Sequence, residues 1–149
     1  MATAGRTWLQ KLFSFEGRTS RIGFWRTFLC LQFASAVVLS LSAFATMAAG
    51  WAGAIPALLF LPLLVTNLAV IVRRLHDRGK SGWWTLIFNA APLTLVGVGE
   101  GLPRLLGQSS GGAAGLMVLF LATGLGLWGW VEMGLLKGQA GANRYGAPA

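Results

Sequence analysis

The stretch Thr27 to Ala48, TFLCLQFASAVVLSLSAFATMA, decides the fold. It carries no charged residue and a single amide, Gln32. A bilayer core takes about 20 apolar residues in a helix, so this run is long enough to cross one. Three further stretches fit the same criterion: Ala52 to Val72, Trp83 to Gly99 and Ala113 to Leu136. The one from Trp83 is short and interrupted by Asn89 and Pro92. Composition agrees, since 55% of the 149 residues are hydrophobic and only 11% charged. A soluble domain carries about 25% charged residues. The chain is therefore predicted to be a single all-α membrane domain (1–149) with four transmembrane helices, at 27–48, 52–72, 83–99 and 113–136. A basic arm (1–26), a central loop (73–82) and a tail (137–149) complete it. The Gly/Ser-rich stretch from Gly99 to Gly112, with Pro103, reads as a loop between the third and fourth spans.

The net charge of +8 comes from 12 Lys/Arg against 4 Asp/Glu. Nucleic-acid binding would need those cations on a folded soluble surface, whereas here they stand between long apolar runs. All of them except Arg104 fall in the arm, the central loop and the tail. Such a bias places these three segments in the cytoplasm, with both termini inside, and selects an even number of spans. The chain is therefore expected in a membrane, its basic side facing the cytoplasm. More than twenty residues precede the first apolar run, and that run is too long for a signal h-region, so a cleavable signal is not expected. Cys30 lies within that run and is expected to be a buried, inert thiol.

Local signals refine the picture. Trp8, Leu9, Leu12 and Phe13 form an apolar stripe, which suggests a short amphipathic helix in the inner interface. Trp25, Trp83 and Trp84 stand at span boundaries, where amphipathic rings settle at the headgroup level. Small residues recur every four at Ala45, Ala49, Gly53 and at Ser42, Thr46, Gly50, and Gly115, Gly124, Gly126, Gly129 and Gly134 dot the fourth span. Close helix approach through small side chains drives association in lipid. Pro62 predicts a kink in the second span.

Polar residues inside the spans lie at matched depth. Gln32, Asn67, Asn89 and Glu132 each fall five or six residues from the basic boundary, about 7 to 9 Å at 1.5 Å per residue. Such groups face the bundle interior, so one shared polar layer is expected, with Glu132 paired to Arg26, Arg73 or Arg74. Above it stands Arg73-Arg74-Leu75-His76-Asp77-Arg78-Gly79-Lys80-Ser81-Gly82-Trp83-Trp84. Its glycines permit a turn with inward N–H groups, Ser81 could cap the third helix, and the cations complete an anion site. His76 would respond to pH, oriented by Asp77. Gly79-Lys80-Ser81 resembles the end of a phosphate-binding loop, but Arg74 occupies the position where that loop needs glycine. One His and one Asp make no metal site, and no nucleophile, base and acid are brought together by spacing. No enzyme activity and no cofactor are expected.

The central segment resembles the signature of the YhaH-like family of small bacterial inner-membrane proteins, domain of unknown function 805. Phe15-Glu16-Gly17-Arg18-Thr19-Ser20-Arg21 followed by Phe24-Trp25 resembles that family's opening motif, and Asn143-Arg144-Tyr145-Gly146 its closing one. One departure is Ala147 before Pro148, where members carry an acidic or amide residue. The resemblance implies a four-span membrane fold and no particular reaction. By topology all three motifs fall on one face. The resulting expectation is an Arg-rich surface of Arg18, Arg21, Arg73, Arg74, His76, Asp77, Arg78, Lys80, Ser81 and Arg144 that binds anionic lipid headgroups or phosphate. A homo-oligomer or a partner membrane protein is the expected protein contact. The alternatives are a small transporter or flippase for an anionic or lipid-linked substrate, and an accessory or scaffold subunit whose signature knits the fold together. Polar groups toward the far side (Ser35, Ser42, Thr46, Thr94) can bond their own helix, which weighs against transport.

Overall fold

The computed structural model describes residues 10 and 12–149. It is all-α, with four helices long and apolar enough to cross a membrane: Arg21–Ala49, Ala54–Asp77, Leu86–Leu106 and Gln108–Leu135. The expected interfacial helix around Trp8 and Leu9 lies outside the described residues; Leu12 is helical and Phe13 already bends away.

Helix α1 (Arg21–Ala49) starts six residues before the apolar run, because Ser20 caps it by accepting the Gly23 N–H at 3.3 Å. It ends at Gly50, whose φ of 62° belongs to the left-handed region. The chain returns as a 3₁₀ helix, Gly50–Leu59, and changes to the wider register of α2 (Phe60–Asp77). Pro62, where a kink is expected, falls just after this change of register, in the first turn of α2.

Helix α2 continues five residues past Val72, so Arg73 to Asp77 are helical and the connecting loop is shorter than expected. A π-helical turn, Leu86–Ala90, precedes α3 (Ala91–Leu106). The wider turn falls just before Pro92, which has no N–H to continue the ladder.

The stretch from Gly99 to Gly112 is not a loop. Helix α3 runs through it to Leu106, only Gly107 breaks the chain, and α4 (Gln108–Trp130) follows at once. Two of its glycines, Gly99 and Gly111, form a packing surface together with Gly115, while Gly101 and Gly107 meet nothing. A Cβ on Gly115 would come within 2.5 Å of the Gly99 carbonyl oxygen, and one on Gly111 would run into the backbone of Leu102. Glycine there lets α3 and α4 touch backbone to backbone. Gly129 seats Phe88 and Gly134 seats Trp25 in the same way, while Gly124 and Gly126 meet nothing.

The result is two hairpins, α1 with α2 and α3 with α4. Among the described residues, no Cα of α1 or α2 comes within 8 Å of one in α3 or α4. The hairpins meet at one end, through a π turn at Val131–Leu135 that closes α4. Phe24, Val70, Ile71, Leu75, Phe88 and Met133 form the buried core at that junction. Elsewhere the helices turn large apolar side chains outward, such as Phe33 (73% exposed) and Phe120 (84%). Cys30 is likewise on an outward face, contrary to expectation. In water such a surface would aggregate; against lipid chains it is the ordinary exterior.

Candidate functional site

The end of a helix leaves its last carbonyls without N–H partners. At the end of α4 these oxygens belong to Met133 through Lys137, and each accepts a bond from a side chain elsewhere in the chain. Arg74 Nε donates to Met133 at 2.7 Å and its Nη2 to Leu136 at 2.6 Å. Trp25 Nε1 donates to Gly134 at 2.9 Å, and Arg21 Nη1 to Leu135 at 3.0 Å. Arg78 Nη1 donates to Lys137. Guanidinium groups suit this place twice over, because their forked donors reach several oxygens and their charge opposes the negative end of the helix dipole.

A buried ion cluster locks the same region to the arm and tail. Asp77 accepts Arg74 Nη1 at 2.5 Å on one carboxylate oxygen and Arg18 Nε at 3.0 Å on the other. The side chains of Arg74, Arg18 and Asp77 are 0%, 1% and 5% exposed. Arg18 also donates to the carbonyls of Gln139 at 2.5 Å and Gly141 at 2.7 Å. The backbone joins in: Thr19 N–H donates to the Arg73 carbonyl and Gln139 N–H to that of Asp77. Gly138 fits only as glycine, because a Cβ there would collide with the Asp77 carboxylate.

The central turn is built differently from the expected anion nest. The N–H of Lys80 donates to Leu75 and that of Gly79 to His76, with Gly79 at φ 73°. This is a Schellman closure of α2. The N–H groups of Arg78, Gly79 and Lys80 are consumed by the helix they terminate, so these three do not face a ligand. Ser81 caps no helix through its hydroxyl; only its carbonyl accepts, from Trp84 N–H.

Asp77 does not orient His76. The imidazole lies flat on Tyr145, centroids 3.7 Å apart at 5°, with Nδ1 3.2 Å from the Gly17 carbonyl. A carbonyl only accepts, so Nδ1 carries the proton. Asn143 ties the tail to the same spot by donating to the His76 carbonyl at 2.9 Å. Arg144 lies over the Tyr145 ring and stays exposed. Arg73 is half-buried, its Nε on the Ala69 carbonyl of its own helix.

The polar layer is divided. Asn67 donates to Gln32 at 2.9 Å, joining α1 to α2. Asn89 turns back to the Thr85 carbonyl at 3.4 Å. Glu132 belongs to the clasp: it pairs with Arg78 at 3.1 Å and Lys80 at 3.8 Å, rather than with Arg26, Arg73 or Arg74. The interfacial tryptophans divide too. Trp83 is 77% exposed, Trp84 packs on Phe88 and Trp128 beneath the Lys80 ammonium, and Trp25 is a clasp donor.

Fold and site together define a four-helix membrane-type protein whose two hairpins are fastened at one end by an arginine–carbonyl clasp. The chain belongs to the family described as protein of unknown function DUF805, which matches residues 12–147. It is 33% identical over 138 residues to the uncharacterized protein YiiR of Escherichia coli strain K12, covering 92% of this chain and 86% of that one. The protein of the same name from Escherichia coli O157:H7 matches equally. No solved structure matches.

Proposed function

We propose that this is a multi-pass protein of the bacterial inner membrane, with both termini in the cytoplasm, that acts as an accessory or scaffold subunit. In this reading the three family motifs are the parts of one fastening, which holds two hairpins in fixed relation for a partner membrane protein or a second copy. The observation that carries it is the direction of the arginine donors. Arg18, Arg74 and Arg78 aim at carboxylates and carbonyls of their own chain, and the turn amides serve α2. Little of the expected surface is left to grip a phosphate. Transport has less support still, because Gln32–Asn67 and Asn89 form separate contacts instead of a route. The orientation rests on the charge bias.

Two measurements test this. Single cysteines in otherwise cysteine-free protein, at Ser81 and Ser109, should differ in intact cells: an impermeant reagent labels position 109 and spares 81. Reversed labelling overturns the orientation. For the role itself, the membrane-extracted protein should run on native gels as a complex larger than one chain with its micelle. A strictly monomeric protein, both extracted gently and cross-linked in the membrane, overturns the scaffold reading.

A further inference from the structure

Two cavities follow one seam between α1 and the end of α4. The deeper, about 270 Å³, is walled by Phe24, Trp25, Phe28, Phe88, Trp130 and the bare backbone of Gly126. Leu93 and Trp130 at its edge are exposed, and the hairpins diverge here, so in a bilayer it opens sideways onto hydrocarbon. Asn89 contributes an amide to this wall, bonded only by one long contact to Thr85. The other cavity, about 350 Å³, is lined by Arg21, Ile22 and Lys137, together with Arg18 and Asp77.

Register places the second cavity directly over the first. Arg21 precedes Trp25 by one helical turn of α1, and Lys137 follows Gly134 of the deeper wall by three residues. Their charges are open. The Asp77 carboxylate is held by Arg18 and Arg74, and among the described residues neither Arg21 nor Lys137 has a carboxylate in ion-pair range. Two unneutralised cations thus stand above an aromatic crevice that faces lipid. That is the shape and charge complement of an anionic amphiphile.

We propose that this seam binds one anionic phospholipid, its phosphate between Arg21 and Lys137 and one acyl chain in the crevice against Trp25, Phe28 and Trp130. The Asn89 amide is placed to donate to an ester carbonyl. The site depends on the four-span placement and not on the scaffold role: Arg21 gives one nitrogen to the Leu135 carbonyl, and neither Arg21 nor Lys137 has a carboxylate partner among the described residues.

Gly126 and Gly124 supply the test. A Cβ at either meets no atom within 4 Å, so both accept leucine, but only Gly126 lines the crevice. Purified parent, Gly126→Leu, Gly124→Leu and Lys137→Glu would be titrated with phosphatidylglycerol and phosphatidylethanolamine of identical chains and followed by native mass spectrometry. The expectation is one retained phosphatidylglycerol per parent chain, with weaker retention of phosphatidylethanolamine. Gly126→Leu should weaken it at least ten-fold (about 1.4 kcal/mol), Gly124→Leu should match the parent, and Lys137→Glu should abolish the headgroup preference. Because Lys137 is exposed and its side chain makes no hydrogen bond, that variant tests the site without threatening the fold. Parent-like retention by Gly126→Leu, equal losses in both leucine variants, or an unchanged preference in Lys137→Glu would each overturn the proposal.

Discussion

Replacing Arg74 by lysine keeps the charge and removes the fork, which makes it a direct probe of the clasp. Arg74 is fully buried and bonds Met133 and Leu136 carbonyls and the Asp77 carboxylate from three different nitrogens. A lysine ammonium concentrates its donors at one point. It can keep Asp77 or turn to one carbonyl, so at least one acceptor loses its donor; the bond to the Met133 carbonyl is buried, that to Leu136 only part-buried. A buried unsatisfied group costs about 1–3 kcal/mol, which is the scale set by the Met133 carbonyl. Set against a total stability of about 5–15 kcal/mol for an ordinary domain, that is a large fraction.

The assay is thermal and denaturant unfolding of parent and Arg74→Lys in the same detergent, followed by circular dichroism and tryptophan fluorescence. Trp25, one of seven tryptophans, contributes to that signal from within the clasp, its indole bonded to Gly134. Arg74→Lys should melt well below the parent while its profile of retained lipids stays the same. The anion-surface reading demands the opposite, a changed lipid profile at matched stability. Parent-like melting would refute the assignment of Arg74 to a structural clasp.

Other substitutions probe the neighbouring contacts. Glu132→Gln should destabilise the protein by less than Arg74→Lys, because its partners Arg78 and Lys80 are about a quarter exposed (23% and 25%) and water can take over; the same melts decide. Gly138→Ala should be strongly destabilising, since Asp77 is pinned by two arginines and cannot yield to the new methyl, whereas Gly141→Ala has open space and should be silent. His76→Ala removes the Tyr145 stack and the bond to Gly17, so hydrogen exchange should rise across residues 140–149 with the helices unchanged.

The four helices were legible because a long uncharged run has few alternatives to crossing a membrane. Their ends were not. Hydropathy stops at Val72, but α2 continues until a left-handed glycine, Gly79, can close it. Likewise, Gly99 and Gly111 sit in a stretch with the composition of a loop and have the geometry of a helix contact, and only the partner helix distinguishes the two. The motifs at one end of the bundle could be gathered from topology, and Asp77 and Glu132 were identifiable as counter-charges. The acceptors could not be read at all. They are the backbone carbonyls of Met133 to Lys137, and a carbonyl leaves no mark in the sequence. Counting arginines therefore overstates the free charge, because it cannot tell a guanidinium that awaits a phosphate from one already bonded to its own chain.

The same arrangement sets an order among the parts of the molecule. Each hairpin has its own closure: α1 and α2 through the 3₁₀ return and the Gln32–Asn67 bond, α3 and α4 through the glycine contact. Neither depends on the other along its length, so both can form as their helices enter the bilayer. The clasp is different. It needs Arg18 and Arg21 from the arm, Arg74 and Arg78 from the end of α2 and its loop, and carbonyls beyond α4, so it closes only when the last span and the tail are present. Stability should therefore be uneven, with the hairpins as persistent units and the clasp as the joint that opens first. An opened clasp leaves the last backbone oxygens of the fourth span without their donors. This explains why three separated motifs answer to one structural requirement.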